Sequence, residues 1–202
     1  MNTDVAIHPK LHHYGLTTAK LDAMIEWYRT VLGMTVNHRS TTSAAVRNGA
    51  PFSAVAFLSN DEADHRLVLF ETHGAPTGAA QRTPGPLQHI AFQCDTFDDL
   101  LGTYVRLKRA GIMPRWAADH GLGTAIYYED PDRNIVEVNV NNYGDPWTAT
   151  EHIKTMPPAM VQVDPDKMVA ARQGGASAWE LHQRAGKGDF VPAELFDRRE
   201  RS

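Results

Sequence analysis

Strand-like and helix-like runs of hydrophobic residues follow one another in a fixed order along the first part of the chain. Residues 11–17 have the pattern of a β-strand, and residues 22–32 place apolar side chains at the spacing of an amphipathic helix. Gly33 is suited to end that helix. Residues 53–59 and 66–71 are again strand-like. The pattern therefore predicts a strand, a helix and then further strands.

The same order begins again about 76 residues later. Residues 87–93 are strand-like, and residues 98–110 are helical up to Gly111. Four positions match between the two copies: Leu11 with Leu87, His13 with His89, Asp22 with Asp98, and Tyr28 with Tyr104. Each copy also ends on a strand that carries a glutamate, Glu71 or Glu137. One duplication of this length predicts an α+β fold of paired βαβββ modules whose sheets share a concavity.

The repeat predicts one domain over residues 1–142, with modules at about residues 9–72 and 86–142. Residues 73–86 are rich in Gly, Pro, Ala and Thr and are predicted to link the modules.

Residues 143–202 have no counterpart in the repeat. Two helix starts are predicted there, at Asp164-Pro165 and at Ser177 with Glu180. We expect this C-terminal extension to pack on the core or on a partner subunit, and therefore expect a homo-oligomer.

Composition narrows the classes of function. The formal net charge of −4 gives no electrostatic case for nucleic-acid binding. Hydrophobic runs are too short to span a membrane, and the first residues lack a secretory signal pattern. Cys94 is the only cysteine, which excludes an intrachain disulfide and fits a cytoplasmic location.

Candidate chemistry is concentrated in residues 118–139, which are predicted to form a strand, a tight turn and a strand. In the second strand, Ile135, Glu137 and Asn139 share one face. A carboxylate facing such neighbours needs a partner, because burying it alone is costly. A metal ion is one such partner.

The repeat supplies the other ligands. His13 and His89 lie on equivalent first strands, and Glu137 lies on the last strand. Two neutral imidazoles and one carboxylate on one face leave positions open, an arrangement that suits non-haem Fe(II).

With these residues the chain resembles the vicinal oxygen chelate superfamily, and within it the type I extradiol ring-cleaving dioxygenases with a single domain. The extradiol motif is met at every spacing by His120, five residues, Ile126, Tyr127, two residues, Asp130, Pro131, one residue, Arg133, three residues and Glu137. Arg133 and Ala118 depart from the usual residues. Glycine is usual at position 133 and often has a positive φ there, so the arginine puts the turn conformation in question.

The resemblance implies a half-open barrel around an Fe(II) site, with Mn(II) as the alternative ion. The implied metal ligands are His13, selected over its neighbour His12, together with His89 and Glu137. The substrates implied are O₂ and a catechol such as a 2,3-dihydroxybiphenyl-type diol, which is cleaved beside its hydroxyls to a muconic-semialdehyde-type product.

Three further residues receive roles from the resemblance. His65 is implied to stabilise developing charge on oxygen and then act as general acid. His120 and Tyr127 are implied to orient the catechol.

Two other functions are alternatives on the same fold: a glyoxalase-type metal-dependent lyase or isomerase, and a metal-free binding protein. Glu71 is a candidate ligand in a glyoxalase-type site. His12 is predicted to face away from His13. The histidines that fit no motif are expected at the surface: His38, His73, His152 and His182. Residues 39–52 are a candidate pocket-lining segment.

Overall fold

The computed structural model describes residues 10–41, 52–72, 87–155 and 160–196. The predicted linker at 73–86, His73, and most of the candidate pocket segment lie outside these described residues. The chain divides into two compact units, Met1–Ala79 and Ala80–Ser202.

The first unit is one βαβββ module. Its elements in chain order are β1 (Tyr14–Thr18), α1 (Leu21–Leu32), β2 (Thr35–Thr41), β3 (Phe52–Ser59) and β4 (Leu67–Thr72). The sheet order is β1-β4-β3-β2, with β1 parallel to β4 and the other neighbours antiparallel. Helix α1 packs its apolar face on this sheet and ends at Gly33, whose φ of 66° is the left-handed value that glycine accepts readily.

The second unit contains the other βαβββ module and the C-terminal extension. Its elements in chain order are β5 (Ile90–Cys94), α2 (Phe97–Arg109), β6 (Trp116–Asp119), β7 (Gly123–Glu129), β8 (Ile135–Asn141), α3 (Pro146–Thr155), β9 (Val161–Gln162), α4 (Pro165–Gln173) and α5 (Ala178–Gly186). The sheet order is β5-β8-β7-β6-β9, and only the β5–β8 pair is parallel. The extension thus adds β9 to the free edge of β6.

The predicted α+β class and the paired βαβββ modules are confirmed. Helices α1 and α2 bury the tyrosines that matched between the repeats, Tyr28 and Tyr104, at 0% and 2% exposure. The predicted helix starts in the extension are also confirmed, because Asp164 caps α4 and Ser177 forms a capping box with Glu180 at α5.

Four elements were not predicted individually: β2, β6, α3 and β9. Strand β2 is polar and mostly exposed, so it lacks the hydrophobic alternation by which a strand is recognised. The candidate pocket segment overlaps it, since Arg39–Thr41 belong to β2 rather than to a loop. Helix α3 buries none of its side chains, and β9 is only two residues long.

The registers correct the supposed equivalence of Glu71 and Glu137. Glu137 pairs with Ala91, two residues after His89. The residue two after His13 is Gly15, and Gly15 pairs with Val68. Val68 is therefore the counterpart of Glu137, and Glu71 lies three residues further on, where strand alternation turns it to the opposite face. The carboxyl of Glu71 instead accepts a hydrogen bond from Ser53 at 3.0 Å.

Within the described part of the chain, none of the helices has the length and apolar character needed to cross a membrane.

Candidate metal and substrate site

The centre of the candidate site in the second unit is a contact between an imidazole and a carboxylate. His89 immediately precedes β5, and Glu137 lies in the middle of β8, the parallel neighbour of β5. His89 Nε2 lies 3.0 Å from Glu137 Oε2. The carboxylate side chain is 12% exposed and the imidazole 36% exposed. The parallel register therefore brings two of the predicted metal ligands together.

A neighbouring amide holds the carboxylate in place. Asn139, two residues along the same strand and on the same face, donates a hydrogen bond from Nδ2 to Glu137 Oε1 at 2.9 Å. The other oxygen, Oε2, is the one directed at His89. Two neighbouring ligands of an octahedral ion, each about 2.1 Å from it, stand about 3 Å apart. The His89–Glu137 separation, with a hydrogen bond fixing the carboxylate from behind, fits a metal ion in that position.

His120 and Tyr127 form a hydrogen-bonded pair beside these ligands. His120 Nε2 lies 2.9 Å from the Tyr127 hydroxyl. Tyr127 is directly opposite Glu137 in the antiparallel β7–β8 pair, so both side chains leave the same face of the sheet. The rings of Tyr127 and His89 stand edge to face with their centroids 6.0 Å apart. Four of the six predicted site residues thus share one surface of the second unit.

A stack of aromatic rings packs against the ring of Tyr127. Trp116 on β6 stacks on Tyr127 with ring centroids 4.2 Å apart, and Phe196 stacks on Trp116 at 4.9 Å. The side chain of Gln162 on β9 holds Phe196 in position by pairing with its backbone N–H and carbonyl, at 2.8 and 2.9 Å. The C-terminal extension therefore contributes to the surroundings of a candidate substrate-orienting residue. The sequence carries no motif that marks Trp116 or Phe196 for this place.

A buried carboxylate, Asp119, organises the turn that carries His120. It is 3% exposed, and its Oδ1 accepts a hydrogen bond from the backbone N–H of Gly121 at 2.7 Å. Its Oδ2 lies 2.8 Å from His182 Nδ1 on α5 and 3.2 Å from the side chains of Thr124 and Asn142. The extension thus reaches the candidate site a second time, through His182.

The first unit contains a separate cluster of three imidazoles. The residues before β1 and before β4 are adjacent, because these strands run parallel with Tyr14 opposite Leu67. His13 and His65 have ring centroids 4.3 Å apart, and His12 is 5.1 Å from both. The Asp64 carboxylate touches His12 and His65, and the hydrogen bond from His65 is the main cause of a lowered pKa at Asp64. His13 and His65, predicted as ligand and general acid, are therefore neighbours.

Three expectations about the remaining histidines are wrong. His12 does not face away from His13, because their Nδ1 atoms lie 2.8 Å apart; both residues precede β1, where strand alternation does not apply. His182 is buried against Asp119, with 16% of its side chain exposed. His152 on α3 bonds the Tyr143 hydroxyl at 2.5 Å instead of standing free at the surface. His38 is exposed, as expected.

The β7–β8 turn keeps a glycine-like conformation despite Arg133. The φ of Arg133 is 68°, the only positive φ at a non-glycine residue among the described residues. Asp130 imposes it: Oδ1 accepts hydrogen bonds from the N–H groups of Asp132 and Asn134 at 2.9 and 2.8 Å, and its backbone carbonyl accepts one from Arg133 at 2.8 Å. The turn conformation that the arginine put in question is therefore retained.

We expect Arg133→Gly to stabilise the protein by about 0.5 kcal/mol. A left-handed conformation costs a non-glycine residue about 1–2 kcal/mol, while glycine gives back about 0.5–1 kcal/mol through its more mobile unfolded chain. Urea unfolding of Arg133→Gly and Arg133→Ala separates backbone strain from loss of the arginine side chain. A glycine variant no more stable than the alanine variant would contradict the argument.

Comparison with known proteins identifies the family. Residues 10–138 match the model of the Glyoxalase/Bleomycin resistance protein/Dioxygenase superfamily. The chain is 36% identical over 151 residues to biphenyl-2,3-diol 1,2-dioxygenase 3 of Rhodococcus globerulus, covering 74% of this chain and 72% of that protein. It is 37% identical over 147 residues to biphenyl-2,3-diol 1,2-dioxygenase 2 of the same organism, covering 72% and 70%. The chain therefore belongs to this superfamily, as its motifs indicated.

A solved structure agrees on the fold. The crystal structure of a glyoxylase/bleomycin resistance protein/dioxygenase domain from Frankia sp. EAN1pec has a TM-score of 0.54 and 21% sequence identity, covering 67% of this chain and 99% of that domain.

Proposed function

We propose that this protein is an Fe(II)-dependent extradiol dioxygenase that cleaves a catechol of the 2,3-dihydroxybiphenyl type with O₂. The observation that carries the proposal is the position of the His120–Tyr127 pair on the same face as the His89–Glu137 pair. A metal-binding pair alone would also serve a lyase. A second pair of hydroxyl-binding groups beside it is what a bound diol requires. The similarity to two biphenyl-2,3-diol 1,2-dioxygenases supports the same activity.

In this proposal His89 and Glu137 hold the metal together with His13. The first two are supported by their 3.0 Å separation and by Asn139, which fixes the carboxylate. His13 enters through the sequence repeat, in which it corresponds to His89. When bound there, Fe(II) supplies the redox chemistry that joins a catecholate with O₂.

The protein's own groups bind and orient the diol and move its protons. The Tyr127 hydroxyl and His120 Nε2 already form a donor–acceptor pair, so each can bond a catechol oxygen once the substrate separates them. The stack of Trp116 on Tyr127 limits rotation of the phenol ring and keeps the hydroxyl aimed. His65, whose Nδ1 is held by Asp64 at 2.7 Å, is the proposed general acid.

The test is to load the protein with Fe(II) under anaerobic conditions and then add 2,3-dihydroxybiphenyl and air. We expect oxygen uptake equal to the substrate consumed, with a yellow ring-opened product. A 1,4-diol is the matched control, because its hydroxyls cannot both reach one metal ion. A parallel sample loaded with Mn(II) shows which of the two ions supports turnover.

Two other outcomes of this assay would favour the alternative functions. Iron binding without oxygen uptake on any catechol would overturn the proposal and favour a lyase or isomerase on the same fold. Failure to bind either ion would favour the metal-free binding protein.

A further inference from the structure

Three imidazoles converge at the residues before β1 and β4. One of them, His12, has no role in the proposed reaction. One ring nitrogen from each of His12, His13 and His65 lies within 4.8 Å of the others. His12 and His13 are exposed, so an ion from solvent can reach them, while His65 lies deeper with 15% of its side chain exposed.

Asp64 determines which nitrogens are available as ligands. Its Oδ1 lies 3.2 Å from His12 Nε2, and its Oδ2 lies 2.7 Å from His65 Nδ1. A carboxylate only accepts hydrogen bonds, so both of these ring nitrogens carry protons. In the neutral imidazoles, His12 Nδ1 and His65 Nε2 then keep their lone pairs. A carboxylate behind the imidazole is the usual arrangement around metal-bound histidine.

The contact between His12 and His13 has the spacing of two ligands on one ion. His12 Nδ1 and His13 Nδ1 are 2.8 Å apart, so in the metal-free protein His13 Nδ1 donates a hydrogen bond to His12 Nδ1, and a bound ion would take the place of that proton, which moves to His13 Nε2. Two imidazole nitrogens about 2.0–2.1 Å from a shared ion would stand roughly 3.0–3.4 Å apart, depending on the angle between them. Side-chain movements of a few tenths of an ångström therefore bring His12 and His13 to ligand spacing, and the His65 ring, whose nitrogen lies within 4.8 Å of theirs, must turn toward them to complete the set.

We propose that His12, His13 and His65 form a second metal site, selective for Zn²⁺, that competes with the proposed iron site for His13. Three neutral imidazoles with an open fourth position form a ligand set typical of zinc. Such nitrogen ligands also bind Zn²⁺ more tightly than Fe²⁺. A zinc ion held here engages His13 and so opposes iron loading. The ligand set itself does not depend on the proposed function; only this consequence for iron does.

The binding test uses the metal-free full-length chain and titrates Zn²⁺ by calorimetry and Co²⁺ by its visible absorption. In a Glu137→Ala background, in which the proposed iron site cannot hold the titrated ion, we expect His12→Gln to weaken Zn²⁺ binding at least tenfold and to remove the tetrahedral Co²⁺ bands. His38→Gln, a change at an exposed histidine outside the cluster, is the matched control and should bind as the unmodified protein does. Glu137→Ala should also keep the zinc site, because its ligands are all in the first unit.

Three results would overturn this proposal. The first is a Glu137→Ala/His12→Gln variant that binds Zn²⁺ as tightly as Glu137→Ala does. The second is loss of Zn²⁺ binding in Glu137→Ala, and the third is absence of Zn²⁺ binding in the unmodified protein. Circular dichroism of each variant shows that a loss of binding is not a loss of fold.

A second arm measures the competition. Zn²⁺ added before Fe(II) should lower catechol turnover in the unmodified protein, and His12→Gln should raise the Zn²⁺ concentration needed for that inhibition. If no variant turns over a catechol, the proposed function fails, while the Zn²⁺ and Co²⁺ titrations still decide the three-histidine site.

Discussion

Glu137→Ala is expected to abolish iron binding and to reduce catechol turnover by more than about 100-fold, the upper end of the loss caused by removing a residue that only hydrogen-bonds a metal ligand. The carboxylate is the only charged group in the proposed ligand set, and its Oε2 is the atom 3.0 Å from His89 Nε2. Removing it leaves imidazoles that hold Fe(II) weakly, since hard oxygen ligands are part of the set that suits this ion. Iron content after gel filtration and oxygen uptake with 2,3-dihydroxybiphenyl measure the two effects.

Glu71→Ala is the matched control. Glu71 also lies on the last strand of its module, but the β1–β4 register turns it to the face opposite the counterpart of Glu137. We expect this variant to bind iron and turn over substrate within about twofold of the unmodified protein, with a small loss of stability from the Ser53 hydrogen bond. Equal losses in the two variants would show that the effect of Glu137 is structural, and Glu137 would leave the proposed ligand set.

The sequence predicted best those parts of the fold that are determined by residues close together in the chain. Helices α1 and α2 follow from apolar residues at helical spacing, and α4 from the capping aspartate Asp164. The placement of Tyr127 beside Glu137 follows from strand alternation around a short turn. The conformation of that turn was left in question by the sequence, and the structure shows that Asp130 fixes it with a positive φ at Arg133.

The parts that sequence missed depend on contacts between distant segments. His182 carries no motif, and its partner Asp119 is 63 positions earlier in the chain. Phe196 reaches Trp116 only because β9 pairs with the edge of β6 and Gln162 then holds the Phe196 backbone. The predicted equivalence of Glu71 and Glu137 was wrong for a related reason. The two modules have different numbers of residues between their first and last strands, and only the strand register shows which residue corresponds to Glu137.

Asp119→Ala is expected to destabilise the protein by about 3 kcal/mol and to lower turnover without loss of iron. The carboxylate is 3% exposed and is contacted by Gly121 N–H, Thr124, Asn142 and His182. Its removal leaves buried donors without their acceptor, which costs more than the net value of the bonds. Because Gly121 and Asp119 flank His120, the imidazole loses the support that aims it at the Tyr127 hydroxyl. Urea unfolding and steady-state kinetics at constant iron content measure both effects.

His182→Ala and Asp189→Ala test whether this loss belongs to the buried network. His182→Ala removes one contact of Asp119 and should cost about 1–2 kcal/mol. Asp189 forms an ion pair with Arg184 at 3.0 Å on exposed side chains, so its removal should change stability by less than about 0.5 kcal/mol. If Asp119→Ala unfolds at the same urea concentration as Asp189→Ala, the network does not stabilise the fold. If it is destabilised but its turnover per iron is unchanged, Asp119 and His182 support the sheet edge and do not position His120.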